Sequence, residues 1–265
     1  MESRPLAKIL CALVLCLVAA APSSALAATE DAVNGRLSSN WAGYVAGRGG
    51  AYTAVGGSWV VPALAATTTL MTDAAWVGIG GSKSKDLIQA GTHSAVQNGR
   101  TQYWAWYELL PEYQVTIPLA VKGGDEVEVS LTEVAEDLWY LSFINETTGE
   151  RYGRALEYRS RNGTAEWIEE MPVVYTRGGE QAYAPLSEFG MVAFEDAYVV
   201  VNGERKGISA LRASAVTMVS KQNKRVVLAT PGEVAGDGFV VTRSAAVPSP
   251  SAAKRAKAYD IVWSK

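Results

Sequence analysis

The chain has 265 residues, 48% of them hydrophobic and 19% charged, with 25 Gly and 10 Pro. That composition excludes bulk disorder and a collagen-like repeat and is enough for one large packed domain. A formal net charge of −3 gives no reason to expect nucleic acid or an anionic membrane as a partner.

Residues 1–27 read as a signal peptide. Arg4 and Lys8 precede an apolar run from Ile9 to Ala21, and Ala25-Leu26-Ala27 supplies an Ala-x-Ala cleavage site. The run is short for a membrane span of about 20 residues. The expectation is therefore a secreted, extracellular protein with no membrane attachment after cleavage. Cys11 and Cys16 both lie in this segment, so the mature chain has no disulfide, no cysteine nucleophile and no Cys-ligated metal.

A short N-terminal segment, 28–38, leads into one β-rich domain over 39–243. Period-two alternation is clearest in Glu126 to Thr132 and recurs in Tyr52 to Val61, Ala75 to Ile79, Thr101 to Leu109, Gln114 to Ala120, Leu138 to Ile144, Met191 to Phe194 and Phe239 to Thr242. Asn98-Gly99, Asn162-Gly163, Asn202-Gly203 and Asp237-Gly238 tolerate the positive φ of tight turns. Gly179 to Phe189 has room for one short turn of helix. Many short strands with a large core predict an all-β, antiparallel sandwich of two sheets, with a barrel as the alternative. Residues 244–265, rich in Ser, Ala, Pro and Lys, read as a flexible tail, with Tyr259 to Trp263 as a candidate edge strand.

Elimination narrows the chemistry. With a single histidine, His93, and no mature cysteine, a His-rich zinc site is impossible. No Gly-x-Ser-x-Gly elbow, aspartic-protease triplet or phosphate-cradling loop is present. Carboxylates and amides remain. In Ala165-Glu166-Trp167-Ile168-Glu169-Glu170, alternation puts Glu166 and Glu170 on one strand face and Glu169 on the other. Such a strand is either functional or an edge strand whose acids face water. Tyr103-Trp104-Ala105-Trp106-Tyr107-Glu108 is either a groove wall or core.

Asn40-Trp41-Ala42-Gly43-Tyr44, Ser58-Trp59-Val60-Val61-Pro62, Ala75-Trp76-Val77-Gly78-Ile79-Gly80, Leu87-Ile88-Gln89-Ala90-Gly91-Thr92, Ala105-Trp106-Tyr107-Glu108, Ala165 to Glu170 and Glu188-Phe189-Gly190 follow one another in the order seen in glutamic peptidases. Over about Ser39 to Arg243 the chain resembles that family, the eqolisins, in a bacterial-type form. The resemblance implies a sandwich of two curved antiparallel sheets, of concanavalin-like or jelly-roll type. It implies a secreted, pepstatin-insensitive endopeptidase acting on polypeptides as a monomer without a cofactor. It assigns catalysis to Gln89 and Glu170, with Trp76 and Glu108 in support and Trp106 and Tyr107 flanking the groove on sides left open. Glu169 stands where the family usually has an apolar residue.

The chain departs from the fungal pattern where Gly80 and His93 replace two aspartates, and where Leu109-Leu110 replaces aromatics. His93 is either a group titrating near pH 6 to 7 at the site or a solvent-facing loop residue. Two other classes remain: a non-catalytic sandwich that binds carbohydrate or peptide through its aromatics, and a glycosidase using Glu166 and Glu170.

Overall fold

The structure, a computed structural model, describes residues 36–47, 50–82, 84–175 and 181–245. The expected signal, most of segment 28–38 and the tail from 246 onward, including Tyr259 to Trp263, lie outside these residues. Within them the strands run in chain order as β1 (Arg36–Ser38), β2 (Trp41–Ala46), β3 (Tyr52–Val60), β4 (Met71–Gly80), β5 (Leu87–Gln97), β6 (Arg100–Leu109), β7 (Val115–Thr116), β8 (Glu126–Ala135) and β9 (Leu138–Asn145). They continue as β10 (Glu150–Glu157), β11 (Ala165–Glu170), β12 (Val173–Tyr175), β13 (Gln181–Tyr183), β14 (Met191–Val201), β15 (Glu204–Gly207), β16 (Ser214–Val219), β17 (Val227–Pro231) and β18 (Phe239–Arg243).

Hydrogen-bonded neighbours follow the order β10-β9-β8-β3-β14-β18-β17-β16-β2-β11-β4-β5-β6-β7, and β12 pairs with β13 separately. Among the described residues every ladder is antiparallel except β1 on β16. The ribbon folds over itself. The half from β10 to β18 and the half from β16 to β7 face each other across one core, with β17 carrying the ladder between them. Trp167 of β11 donates to the Gly56 carbonyl of β3 at 2.9 Å, and Trp59 of β3 donates to the Thr92 hydroxyl of β5 at 2.8 Å. Trp59, Trp139, Trp167, Phe143 and Phe194 are fully buried between the halves. This is the expected all-β sandwich.

The layers differ in what covers their outer faces. β8 alternates buried and exposed residues because one face meets water, whereas every residue of β4 is buried. The outer face of β4 is covered by a second apolar cluster of Val45, Ala74, Trp76, Leu87, Trp106, Ile168 and Val216, with Trp41, Trp104 and Leu110 packed against it. A strand hidden on both faces has no reason to alternate.

Several local expectations change. Gln114 to Ala120 yields only the two-residue β7, because Pro118 lacks the N–H that a longer strand would need. Residues 181–189 hold β13 and extended chain rather than a helical turn: Ala184 N–H donates to Pro172 and Ser187 N–H to Thr72, while Pro185 accepts from Thr72. β11 is not an edge strand but lies between β2 and β4. Asn98-Gly99 and Asn202-Gly203 do turn with positive φ. The turn expected at Asp237-Gly238 sits one residue earlier, with Gly236 at φ 58°. Asn162, at φ 52°, precedes a crossing between layers rather than closing a hairpin.

Candidate active site

The outer face of the β2-β11-β4-β5-β6 layer is built in register rows. One row runs Val45, Glu166, Gly78, Gln89, Glu108; the next Gly43, Ile168, Trp76, Gly91, Trp106; the third Trp41, Glu170, Ala74, His93, Trp104. Only odd or only even positions of each strand share this face. It therefore collects Gln89, Glu108, Trp76, Trp106, His93 and Glu170, and sends Glu169, Tyr107 and Ala75 to the core side.

Glu170 is partly exposed at the end of β11. Its Oε1 accepts from Asn40 Nδ2 at 2.7 Å and its Oε2 from Trp76 Nε1 at 2.8 Å. The Trp76 ring meets Trp41 edge to face, with centroids 5.1 Å apart. Burial pushes the Glu170 carboxyl up to about 7, against the donated hydrogen bonds of Trp76, Trp41 and Asn40 and with help from the Glu108 charge. On the other side of the face, Gln89 Nε2 donates to Glu108 Oε2 at 2.6 Å. Gln89 is 5% exposed, and its Oε1 has no hydrogen-bond partner among the described residues. Burial raises Glu108 as well, opposed by that same Gln89 bond.

Gln89 and Glu170 do not touch. They stand two strands and four register positions apart on one face, and Glu108, which holds the Gln89 amide, is close enough for its charge to act on Glu170. The Trp76 ring and the Glu108 carboxyl lie on the face between them, one bonded to each. A peptide bond held over this face would have an ionisable oxygen on one side and an amide on the other.

Other candidates are placed differently from expectation. Trp106 belongs to the outer cluster. Tyr107, however, is in the central core with Arg154 above its ring at 5.6 Å, so it does not flank the groove. His93 is neither a loop residue nor a titrating one. It sits in mid-strand, 3% exposed, stacked on Trp104 at 4.3 Å and paired with the Thr72 hydroxyl at 2.6 Å. Burial drives its pKa down to about 3, against a hydrogen bond with Gln114, so it stays neutral where the sequence left a switch near pH 6 to 7 open. Glu166 is sealed at 0% exposure and is no partner for a glycosidic pair with Glu170. The sequence alone assigns no role to Asn40, Trp41 or Trp104, although Asn40-Trp41 open the first of the motif blocks. Among the described residues no cluster of His, Cys, Asp and Glu is arranged to hold a metal ion.

Known proteins match both the sequence and this architecture. Aspergillopepsin-2 from Aspergillus niger is 27% identical over 230 residues, covering 79% of each chain. The structure of scytalido-glutamic peptidase with a peptide-based transition-state analogue superposes with a TM-score of 0.67 at 23% identity, over 78% of this chain and 98% of that one. Aspergilloglutamic peptidase from Aspergillus niger superposes with a TM-score of 0.56 at 27% identity, over 66% of this chain and 99% of that one. The Peptidase A4 family is matched by residues 39–244, which takes in every strand from β2 to β18, and the chain therefore belongs to that family and is a glutamic-type peptidase.

Proposed function

We propose that Glu170 and Gln89 are the reactive pair with which this endopeptidase cleaves polypeptides. The observation that supports it most is the state of Glu170. Of the two carboxyls that β11 turns to the outer face it is the half-buried one, where Glu166 is sealed, and it is held by Asn40 and Trp76. Ionised, Glu170 takes a proton from water as the water oxygen bonds to the scissile carbonyl carbon. One amide hydrogen of Gln89 is committed to Glu108 and the other is free to donate to the oxyanion that forms. Glu170 then returns its proton to the leaving nitrogen, the C–N bond breaks, and an acid and an amine depart. The two residues act from opposite sides of the bound peptide, so they need not touch in the free enzyme.

The supporting parts have distinct work. Trp76 and Asn40 stabilise the ionised form of Glu170, and Glu108 fixes the Gln89 amide. No step requires a cofactor. All these groups come from one chain, which supports a monomer as the working unit. The leader-like residues 1–27 support secretion, checked by a mature N-terminus at Ala28.

The test is cleavage of a denatured protein from pH 2 to 8 by the mature chain and its variants. Glu170→Gln and Gln89→Ala abolish activity, Glu169→Gln keeps it, and pepstatin does not inhibit. Full activity in Glu170→Gln would refute the assignment.

A further inference from the structure

Beneath the site, on the core face of β11, lies a second group of acids that this chemistry leaves unused. Glu169 is level with Ala42 of β2 and Ala75 of β4, and Ala75 in turn with Thr92 of β5. It is 0% exposed, and neither carboxylate oxygen has a hydrogen-bond partner among the described residues. Asp73 lies two residues from Ala75 on the same face of β4 and is also buried. It accepts from the Ser187 hydroxyl and is reached by that of Ser94, while its Oδ2 has no partner among the described residues.

Among the described residues, what surrounds the pair is neutral or negative: the charges acting on Glu169 are Asp73 and, from the outer face of its own strand, Glu170, and no described Lys or Arg acts on either carboxyl. β5 contributes Thr92 and Ser94. Its His93 faces the other way and is neutral. β2 contributes Ala42, and the segment before β14 contributes Ser187, with Glu188 beside it exposed. From the facing layer, Trp59 donates to Thr92 in the same row.

Two carboxyls in such a place cannot both carry charge. A buried carboxylate with unpaired oxygens and no cation is expensive, and a second one beside it more so. Burial, followed for Glu169 by repulsion from Asp73, raises both acids well above the carboxylate range. The folded core is therefore built around protonated side chains, and their ionised forms are stable only in water.

We propose that Asp73 and Glu169 form a proton-gated latch: protonated, they let β11 lie closed between β2 and β4, and their ionisation opens the sheet there and switches the enzyme off as the medium becomes neutral to alkaline. The latch sits one residue from Glu170 on the same strand, so opening it displaces the proposed catalytic carboxyl from its Trp76 and Asn40 donors. Only this last consequence rests on the assignment of Glu170; the opening of the sheet does not.

The sign follows from linkage. In the unfolded chain both acids ionise near pH 4, whereas in the folded chain they keep their protons to higher pH. The folded state thus binds more protons, and its stability is full below about pH 4 and falls as pH rises through the folded values, about 7 for Asp73. Each linked proton lowers the folding constant about tenfold per pH unit inside that window.

The experiment is urea unfolding from pH 4 to 9, followed by tryptophan fluorescence, for wild type, Glu169→Leu and Asp73→Asn. In each variant the folding constant loses about one tenfold step per pH unit of its dependence, and the alkaline loss of signal moves up by about one pH unit. Activity below pH 5 is kept. An alkaline limb unchanged in both variants overturns the latch. If Glu169→Leu does not fold, Asp73→Asn decides, as does wild type itself: a wild-type folding constant independent of pH between 5 and 8 refutes the proposal. Were Glu170 wrongly assigned instead, these shifts would persist while Glu170→Gln stayed active.

Discussion

At the scale of single residues, the site is a carboxyl whose protonation is set by opposing neighbours. Trp76 and Asn40 donate to Glu170, and Glu108 repels its charge. Donors favour the ionised form, so removing one raises the pKa; removing a like charge lowers it. In Trp76→Phe or Asn40→Ala, the acid limb of kcat/KM should move to higher pH by about one unit, a hydrogen bond to a charged group being worth about 1.5–3 kcal/mol before solvent screening. In Glu108→Gln the same limb should move to lower pH, whatever happens to its height. pH profiles of the three variants check both directions, and a shift of the same sign in all of them would contradict the arrangement. Sequence showed Trp76, Glu108, Gln89 and Glu170 as candidates through their motifs. It was silent on Asn40 as a partner, because a bond spanning 130 positions along the chain leaves no local pattern. It also left Trp106 and Tyr107 unassigned, although their opposite faces follow once β6 is in register with β5.

At the scale of elements, the layer carrying the site depends on close approach at its centre. Gly91 of β5 faces Trp76 and Trp106 across its two ladders. A Cβ there would stand 2.1 Å from the Ala75 carbonyl oxygen and 2.6 Å from Trp76 Cβ, and the first of these is backbone that cannot turn aside. Gly91→Ala should cost about 1–3 kcal/mol or more and lower activity by moving the Trp76 ring. Gly163→Ala is the control, its nearest neighbour being 4.0 Å away; its melting temperature should stay close to wild type. A Gly91→Ala variant as stable as that control would show that β4 and β5 adjust freely. Strand legibility divided along the same line. β8 and β9, wet on one face, alternate, and the period-two pattern starts each at its first residue but stops at Thr132 in β8 and at Ile144 in β9, short of Ala135 and Asn145. β4 and β5, dry on both faces, do not alternate, so the period-two pattern marks only Ala75 to Ile79 of β4 and none of β5. β11 resembles an edge strand in sequence because three acids in six residues ordinarily mean water, and burying two of them needs protons that no pattern records.

At the scale of the whole molecule, the raised acids act in concert. Asp73, Glu108, Glu166, Glu169 and Glu170 all hold protons above their ordinary range, burial being the largest cause in each. Each withdraws stability as pH rises from about 4. Asp86 has the opposite sign. Burial works against its charge, but the Arg161 N–H and the Ser84 and Ser160 hydroxyls outweigh it and lower its pKa, so its contribution is present above about pH 4 and fades below. The melting temperature should therefore be highest in mildly acidic solution and fall by several degrees per pH unit toward pH 8, as calorimetry across pH 3 to 8 would show. A flat profile would mean that these acids are solvated. Activity, rising as Glu170 ionises and failing as the fold loosens, should trace a bell. The sequence by itself determined the all-β class, the order of the motifs and the face on which Glu170, not Glu169, would lie, because alternation and turn chemistry are local. Only the tertiary structure decided that one folded ribbon makes both layers, that His93 is locked neutral against Trp104, and that Asp73 and Glu169 are buried on one core face of neighbouring strands. Burial and the company of distant strands set those protonation states, and neither is written in neighbouring residues.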